Sequence, residues 1–163
     1  MTAQQPEAPR RPASAASAAH EPAEGRGRGF WVVYTDGASR GNPGPASYGA
    51  VIYDPEGNER HLVSETIGVA TNNVAEYRGL VAGLEAALAL GARRVDVRMD
   101  SELIVRQAIG RYRVKNPGLI PLHNRLLTLR AQFDEIVFRH VPRAQNKLAD
   151  ALANQALDRA KLP

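Results

Sequence analysis

The sequence predicts an α/β fold whose single sheet contains both antiparallel and parallel strands. Two observations lead to this prediction. Near the start of the domain, turn-forming residues separate short apolar runs, which is typical of an antiparallel meander. Further along, segments with helical periodicity alternate with short β-branched runs, which is typical of strands joined by helices. With 163 residues, 44% of them hydrophobic, the chain is long enough to enclose one core.

Three strands are predicted in the first part of the domain. The uninterrupted run of β-branched and aromatic residues over 30–35 predicts a strand that is buried on both faces. Two more strands are predicted over 47–53 and 61–67. The segment between them, Asp-Pro-Glu-Gly-Asn at 54–58, has strong turn chemistry, so these strands are expected to pair in antiparallel fashion.

Helices alternate with strands in the rest of the chain. The longest helix is predicted over 73–90, where apolar residues recur at helical spacing and Gly91 follows in the position of a C-terminal cap. The remaining predicted elements are a strand over 94–99, a helix over 102–109, a basic loop over 110–118, a helix over 119–133, a strand over 135–141, a loop over 142–145 and a helix over 146–160.

The composition predicts one folded domain over 30–160, preceded by a leader over 1–29. The leader is mainly Ala, Pro, Ser, Gly, Arg and Glu with hardly a branched apolar side chain, so we expect it to be disordered. The absence of Cys excludes thiol nucleophiles, disulfides and Cys-based zinc sites. No apolar run reaches membrane-spanning length and no secretory signal is present, so a cytoplasmic protein without a membrane partner is the default expectation.

Four acidic residues stand at positions that a fold of this class brings together. Asp36 and Asp100 each follow an apolar strand, while Glu76 and Asp150 each fall near the start of a helix. Strand ends and the adjoining helix starts meet at one edge of an open α/β sheet. Four clustered carboxylates need cations to stay ionised, and Mg²⁺ or Mn²⁺ suits such oxygen ligands. The sequence therefore predicts a metal site with phosphate as its substrate group.

Each of these acids also has an explanation from local structure alone. A hairpin turn explains the first, and helix capping or a helix N-terminus explains the other three. The turn would be Asp36-Gly37, the capping pairs would be Asn73 with Glu76 and Asp100 with Ser101, and the helix N-terminal acid would be Asp150. The combination of all four favours a functional site over four unrelated local roles.

Several segments of the chain together resemble the ribonuclease H type 1 family. The segments are Thr-Asp-Gly-Ala-Ser-Arg-Gly-Asn-Pro-Gly-Pro at 35–45, Tyr-Gly-Ala at 48–50, Thr-Asn-Asn-Val-Ala-Glu-Tyr at 71–77, Asp100-Ser101, and Asn-Lys-Leu-Ala-Asp-Ala-Leu-Ala-Asn at 146–154. They occur in the family's order, and the resemblance covers residues 31–157. It implies the ribonuclease H-like fold, a five-stranded mixed sheet flanked by helices. It also implies the family's activity, endonucleolytic cleavage of the RNA strand of an RNA/DNA hybrid.

The resemblance further implies roles for individual residues. It makes Asp36, Glu76, Asp100 and Asp150 the metal-binding catalytic acids of a two-metal mechanism with Mg²⁺, or Mn²⁺ in its place. It assigns substrate contacts to two loops and one helix start. The predicted substrate-binding residues are Gly37, Gly41 and Asn42 on the RNA strand, Thr71, Asn72 and Asn73 at the minor groove and a DNA phosphate, and Ser101. The expected partner is an RNA/DNA hybrid, and we expect a monomer.

The chain departs from the family pattern in the loop before the last helix. Many members carry a His there that helps to protonate or release product, whereas this loop is short and contains Arg143. His140 falls within the predicted strand, where we expect it to be packed. Arg143 is therefore the better candidate for a mobile helper. Because Arg stays charged, it would act by attracting the leaving phosphate rather than as an acid.

A second departure concerns the grip on the substrate. Some members carry a long basic protrusion with Trp before the fifth strand, and this chain has only a few basic residues there. They are Arg106, Arg111, Arg113 and Lys115, with Tyr112 as a residue that stacks on a base or packs in the core. The net charge of +4 permits a polyanionic partner without requiring one. We expect hybrid binding that is weaker and more sensitive to salt than in members with the full protrusion.

Two other functions fit the same residues. A module of this fold that has lost catalysis would bind nucleic acid only, although the presence of all four acids argues against it. A nuclease or resolvase of the same superfamily would act on DNA, although Asn42 and the Thr-Asn-Asn segment at 71–73 favour the RNA-sensing branch. A comparison of hybrid with duplex DNA as substrate separates these possibilities.

Overall fold

The structure is a computed structural model that describes residues 29–161. Almost the whole predicted leader lies outside the described residues, so its disorder stays a prediction. Within residues 29–161, five strands and four α-helices follow one another in the predicted order. They are β1 Phe30–Ser39, β2 Gly44–Tyr53, β3 Glu59–Ala70, α1 Asn72–Ala89, β4 Arg94–Met99, α2 Glu102–Ala108, α3 Ile120–Arg130, β5 Glu135–His140 and α4 Lys147–Ala160, with a 3₁₀ turn at Arg143–Gln145 before α4.

The strands form one mixed sheet in the order β3-β2-β1-β4-β5. Strand β2 pairs antiparallel with both β1 and β3, which confirms the predicted meander. Strand β4 pairs parallel with both β1 and β5. A five-stranded mixed sheet flanked by helices is therefore confirmed, and β1 is its central strand, where the antiparallel half meets the parallel half.

Helices α1 and α4 pack on opposite faces of the central strands. Gly37 of β1 faces α1, since a Cβ at this position would lie 2.2 Å from the backbone nitrogen of Glu76. Gly49 of β2, which pairs with Asp36, faces α4, since a Cβ there would lie 2.4 Å from the carbonyl oxygen of Ala149. Both contacts are closer than any side chain permits. These two glycines thus allow both helices to approach the strand that carries Asp36.

The main hydrophobic core lies between the sheet and helices α1, α2 and α3. Its largest fully buried side chains include Tyr77, Leu80 and Leu84 of α1 and Met99 of β4. Burial of this apolar surface is the main stabilising contribution to the fold. A smaller cluster, which includes Val32, packs on the α4 side of the sheet. No helix in the described range has the length and apolar character that a bilayer span requires.

Strand β1 is longer than predicted, and this changes the setting of Asp36. The prediction that Asp36 ends a strand is wrong, and so is the alternative of a hairpin turn at Asp-Gly. Antiparallel pairing with β2 continues as far as Ser39 and Ala46, whereas parallel pairing with β4 ends at Tyr34 and Arg98. Asp36 therefore lies inside β1, just beyond the point where β4 stops pairing with it.

Other boundaries differ by a few residues. Strands β2 and β3 extend beyond their predicted limits because they continue to pair with each other as far as Gly44 and Ala70. Helix α3 ends at Arg130 rather than at residue 133, and β5 ends at His140. Strand β4 has the predicted limits, and Gly91 has the positive φ of 92° that a residue following a helix C-terminus adopts.

Candidate active site

Asp36 is a buried carboxylate on the central strand. Its residue is 6% exposed, and its side chain points to the α4 face, because the adjacent Gly37 faces α1. A charged carboxylate in this position loses its hydration, so the surroundings must either neutralise it or bind a cation to it. The structure brings other acids to it rather than bases.

Glu76 comes from α1, which the side chain of Thr71 caps. The Thr71 hydroxyl accepts a hydrogen bond from the Val74 N–H at 3.2 Å, so the helix begins two residues before the position that a capping box at Asn73 requires. Glu76 is then the fifth residue of the helix and is 9% exposed. The capping-box explanation for Glu76 is wrong, and its carboxylate is available to the site.

Asp100 follows the last residue of β4, as predicted. The cap of α2 is Ser101, whose hydroxyl accepts a hydrogen bond from the Ile104 N–H at 3.4 Å. Asp100 is therefore not needed as the cap. One carboxylate oxygen from each of Asp36, Glu76 and Asp100 lies within 4.8 Å of the other two. This spacing suits a shared divalent cation, and carboxylate oxygens are the donors that Mg²⁺ and Mn²⁺ prefer.

Asp150 lies outside this group of three but borders the same cavity. It is in the first turn of α4, close enough to Asp36 to raise the pKa of that group. Asn146 positions the start of α4, because its buried side-chain amide donates to the carbonyl oxygen of Thr35 at 2.9 Å. The residue before Asp36 is thus tied directly to the helix that carries Asp150. All four predicted acids border one cavity.

The clustering of acids changes their proton affinity. Burial, the charges of Asp100, Asp150 and Glu76, and the hydrogen bond with Asp150 together raise the pKa of Asp36 to about 9, with burial the largest cause. Burial and the charge of Asp100 raise the pKa of Glu76 to about 7, against a lowering effect of the hydrogen bond with Ser101. Without a cation, Asp36 and a fraction of Glu76 therefore carry protons at neutral pH. A bound divalent cation would replace those protons and remove the repulsion.

Two arginines border the cavity together with the four acids. Arg143 lies on the 3₁₀ turn before α4, 3.7 Å from a carboxylate oxygen of Asp150, and its side chain is 79% exposed. Arg40 lies on the loop after β1. His140 ends β5, where it pairs in register with Met99. The prediction that His140 is packed is wrong, because the strand ends there and leaves the side chain exposed.

The loop and helix start predicted to contact substrate are connected to each other. The backbone N–H of Asn72 donates to the side-chain oxygen of Asn42 at 3.1 Å, and the Asn72 side chain donates to Glu76 at 3.4 Å. Asn42 precedes a cis peptide bond to Pro43. The 39–44 loop is thereby held against the start of α1, next to the acids.

The other predicted substrate residues lie at the same edge of the sheet. Gly37 borders the cavity, but its close contact with α1 is a packing reason for glycine at this position. Gly41 has a φ of 115°, a conformation that favours glycine. Thr71 is used as the helix cap, Asn73 is half-buried, and the Ser101 side chain bonds to Glu76. Substrate contacts of these residues stay predictions.

Three residues at the site were not among the predicted site residues. Asn146 fixes the start of α4, and Asn154 donates to the backbone oxygen of Asp150 at 3.0 Å from one helical turn further on. The i,i+4 spacing of Asp150 and Asn154 was a usable signal. The third residue, Arg40, has a partner 118 positions away in the chain, which no local pattern indicates.

Comparison with known proteins places the chain in a family. The protein family described as Reverse transcriptase-like matches residues 34–156. "Ribonuclease HI" of Halobacterium salinarum is 47% identical over 128 residues, which are 78% of this chain and 64% of that protein. The chain belongs to the ribonuclease H type 1 family. The crystal structure of LC11-RNase H1 in complex with an RNA/DNA hybrid is 46% identical with a TM-score of 0.75, and the match covers 80% of this chain and 98% of that one.

One relative shows that a ribonuclease H domain can be part of a longer protein. "Bifunctional protein Rv2228c" of Mycobacterium tuberculosis is 52% identical over 130 residues, which are 79% of this chain but only 36% of that protein. The chain thus spans about a third of the length of this curated relative.

Proposed function

We propose that this chain is a metal-dependent endonuclease that hydrolyses the RNA strand of RNA/DNA hybrids. One observation carries the proposal: Asp36, Glu76 and Asp100 converge within 4.8 Å in a ribonuclease H type 1 fold, and Asp150 borders the same cavity. The name of the H. salinarum relative and the hybrid bound to LC11-RNase H1 support the choice of substrate. The proposal concerns the domain over 29–161.

We expect Mg²⁺ as the cofactor, with Mn²⁺ able to replace it. Asp36, Glu76 and Asp100 would hold the metal, and Asp150 would complete the set of ligands beside Asp36. A pair of such ions, when bound, would supply an activated water and would neutralise charge on the leaving oxygen. The protein supplies a rigid arrangement of acids, because α1, β4 and α4 all pack against β1, the strand that carries Asp36.

The residues around the acids would select and position the RNA strand. A site that distinguishes RNA from DNA must contact the 2′-hydroxyl group. Glu76 and the hydrogen-bonded pair Asn42 and Asn72 lie at the cavity edge where the minor groove of a hybrid would face the acids. Arg143, exposed and next to Asp150, would attract the leaving phosphate and assist product release.

The decisive experiment is cleavage of a hybrid with each strand labelled separately, with Mg²⁺ and with Mn²⁺. The protein is expected to cut only the RNA strand, and Asp36→Asn and Asp100→Asn are expected to abolish cutting. Arg93→Gln serves as a control, because Arg93 precedes β4 at the end opposite Asp100. Duplex DNA and duplex RNA of the same sequence complete the substrate set.

Each alternative predicts a different result. Binding of hybrid without cleavage by either metal would mean that the domain has lost catalysis. Cleavage of duplex DNA at a rate equal to that of hybrid would identify a DNA nuclease of the same fold. The monomeric state that we expect is checked by light scattering during gel filtration, with and without hybrid.

A further inference from the structure

Arg40, which lies at the candidate site, forms an ion pair with Asp158 in the last turn of α4. One terminal nitrogen of its guanidinium lies 2.6 Å from a carboxylate oxygen of Asp158, and Arg40 also borders the acid cavity. The Arg40 side chain is 31% exposed and that of Asp158 is 68% exposed. An ion pair with this much solvent contributes little to stability, so the position of Arg40 beside the acids calls for another explanation.

The backbone of the loop holds Arg40 in place independently of its side chain. The Arg40 N–H donates to the carbonyl oxygen of Pro45 at 2.8 Å, and the Ser39 hydroxyl donates to the carbonyl oxygen of Ala70 at 2.9 Å. These bonds fasten the loop to itself and to the end of β3. The guanidinium of Arg40 is therefore not needed to close the loop.

Asp158 accepts a hydrogen bond from one terminal nitrogen of the Arg40 guanidinium, which has several other donors. A guanidinium has five N–H donors in a planar fork, and the bond to Asp158 comes from one terminal nitrogen. The other N–H groups are available to a second anion, and a fork of this geometry matches a phosphate. The carboxylate would therefore orient the guanidinium and still permit it to bind a phosphate.

The two arginines at the cavity are attached to different parts of α4. Arg143 pairs with Asp150 and Arg40 pairs with Asp158, and these acids are eight residues apart in one helix. Eight residues correspond to roughly 12 Å along the helix axis. With anchors this far apart, the two guanidinium groups can bind different phosphates. Arg143 pairs with Asp150, whose charge acts on Asp36, so we expect the scissile phosphate to lie nearer to Arg143.

We propose that Arg40 binds a second phosphate of the RNA strand, separate from the scissile one, and that Asp158 is a positioning residue for Arg40. This inference rests on the proposed function. Since Arg40 borders the cavity that the acids form, the phosphate it reaches belongs to the strand that those acids cut. The contact fixes the position of that strand along the cavity and adds affinity without a role in bond cleavage.

The test compares Arg40→Gln with the intact protein in steady-state cleavage of hybrid. The variant is expected to raise KM by about tenfold and to change kcat by less than about twofold, because a charge-assisted contact to phosphate is lost. The slope of log affinity against log salt concentration is expected to become shallower by about one, the change that corresponds to the loss of one phosphate contact. Arg40→Lys is expected to recover part of the affinity.

A double-mutant cycle tests the role of Asp158. Asp158→Asn alone is expected to raise KM by about threefold, and Asp158→Glu is expected to recover most of the loss. In the Arg40→Gln background, Asp158→Asn is expected to have no further effect. An undiminished effect in that background would overturn the positioning role.

Arg93→Gln is the matched control. Arg93 also forms an ion pair on an exposed loop, 3.8 Å from Asp134, but at the opposite end of β4 from Asp100, roughly 20 Å away. It is expected to leave KM and the salt dependence unchanged. An equal effect of the Arg93 and Arg40 variants, or no effect of either, overturns the inference.

Measurements of hybrid binding separate this inference from the proposed function. Cleavage by the intact protein together with an unchanged KM in Arg40→Gln refutes the Arg40 contact and leaves the function in place. Binding without cleavage, weakened by Arg40→Gln, refutes the function and retains the contact. An intact protein that neither binds nor cuts hybrid refutes both.

Discussion

Replacement of Asp36 by Asn is expected to stabilise the metal-free protein and to remove its response to metal. The pKa of Asp36 rises from 3.8 in the ordinary side chain to about 9 in the folded protein, mainly because the group is buried. A carboxyl group with a raised pKa stabilises the folded state fully below about pH 4. That contribution is lost as the pH rises toward 9, because the unfolded chain releases the proton first.

The loss of stability at pH 7 follows from the interval between the ordinary pKa of 3.8 and the pH of 7. Each pH unit in that interval favours the unfolded chain by about 1.4 kcal/mol. Because Asp36 lies among other acids whose charges act on it, we take about 2 to 4 kcal/mol as the gain for the neutral Asn side chain. This corresponds to a melting temperature higher by roughly 5 to 15 °C.

The assay is urea and thermal unfolding with EDTA at pH 4.5, 7 and 8.5. The difference in unfolding free energy between Asp36→Asn and the intact protein should be at most about 1 kcal/mol at pH 4.5 and should grow with pH. Added Mg²⁺ should raise the melting temperature of the intact protein only, because the variant lacks the central ligand. A variant that is no more stable than the intact protein at pH 8.5 would refute the argument.

Asp54 provides a control, because its pKa is shifted in the opposite direction from that of Asp36. Burial opposes its ionisation, but hydrogen bonds from Asn58 and Glu56 and the charge of Arg60 prevail and lower its pKa. A lowered pKa stabilises the folded protein above the pKa of the unfolded chain, and this stability is lost as the pH falls. Asp54→Asn should therefore destabilise the protein at pH 7, where Asp36→Asn stabilises it.

Three further substitutions test separate parts of the structure. Gly37→Ala should destabilise by about 3 kcal/mol or more and abolish cleavage, because a Cβ would lie 2.2 Å from the backbone of α1; normal urea unfolding would contradict the close approach. Tyr77→Phe should cost about 1 to 2 kcal/mol, because it leaves the buried Gln107 oxygen without its donor, and unchanged stability would show that this bond is unimportant. Arg143→Ala should lower kcat several-fold with an unchanged melting temperature, whereas His140→Ala should change neither; the reverse result would make the His the helper.

The sequence predicted most of the fold because its local signals agree with its tertiary contacts. The limits of β4 and the cap role of Gly91 follow from β-branched alternation and from glycine geometry. The extent of β1 could not be predicted, because it depends on pairing with β2 across a loop rich in Gly and Pro. The exposure of His140, at the end of β5, depends on which elements cover the sheet there, which is equally a property of the folded chain.

The candidate site divides in the same way. Its four acids were identified from motifs, because acids beside strand ends and helix starts are local features. The bond from Asn146 to Thr35 and the pair of Arg40 with Asp158 join residues more than 100 positions apart, and only the folded chain brings them together. Sequence patterns therefore identified the groups expected to bind metal, but not the contacts that position the helix and loop around them.

The candidate site combines close packing with electrostatic repulsion between its acids. Acids brought together on β1, α1 and α4 destabilise the metal-free protein, yet the elements are held in contact by Gly37 on one face of the sheet and Gly49 on the other. These two close approaches leave no room for the helices to move inward. As a result, tightly packed backbone lies on both sides of Asp36. The repulsion is therefore a property of how the strand and the two helices pack together. It can be relieved by protons, as the raised pKa of Asp36 indicates, or by a divalent cation, which makes metal binding a source of stability as well as of chemistry.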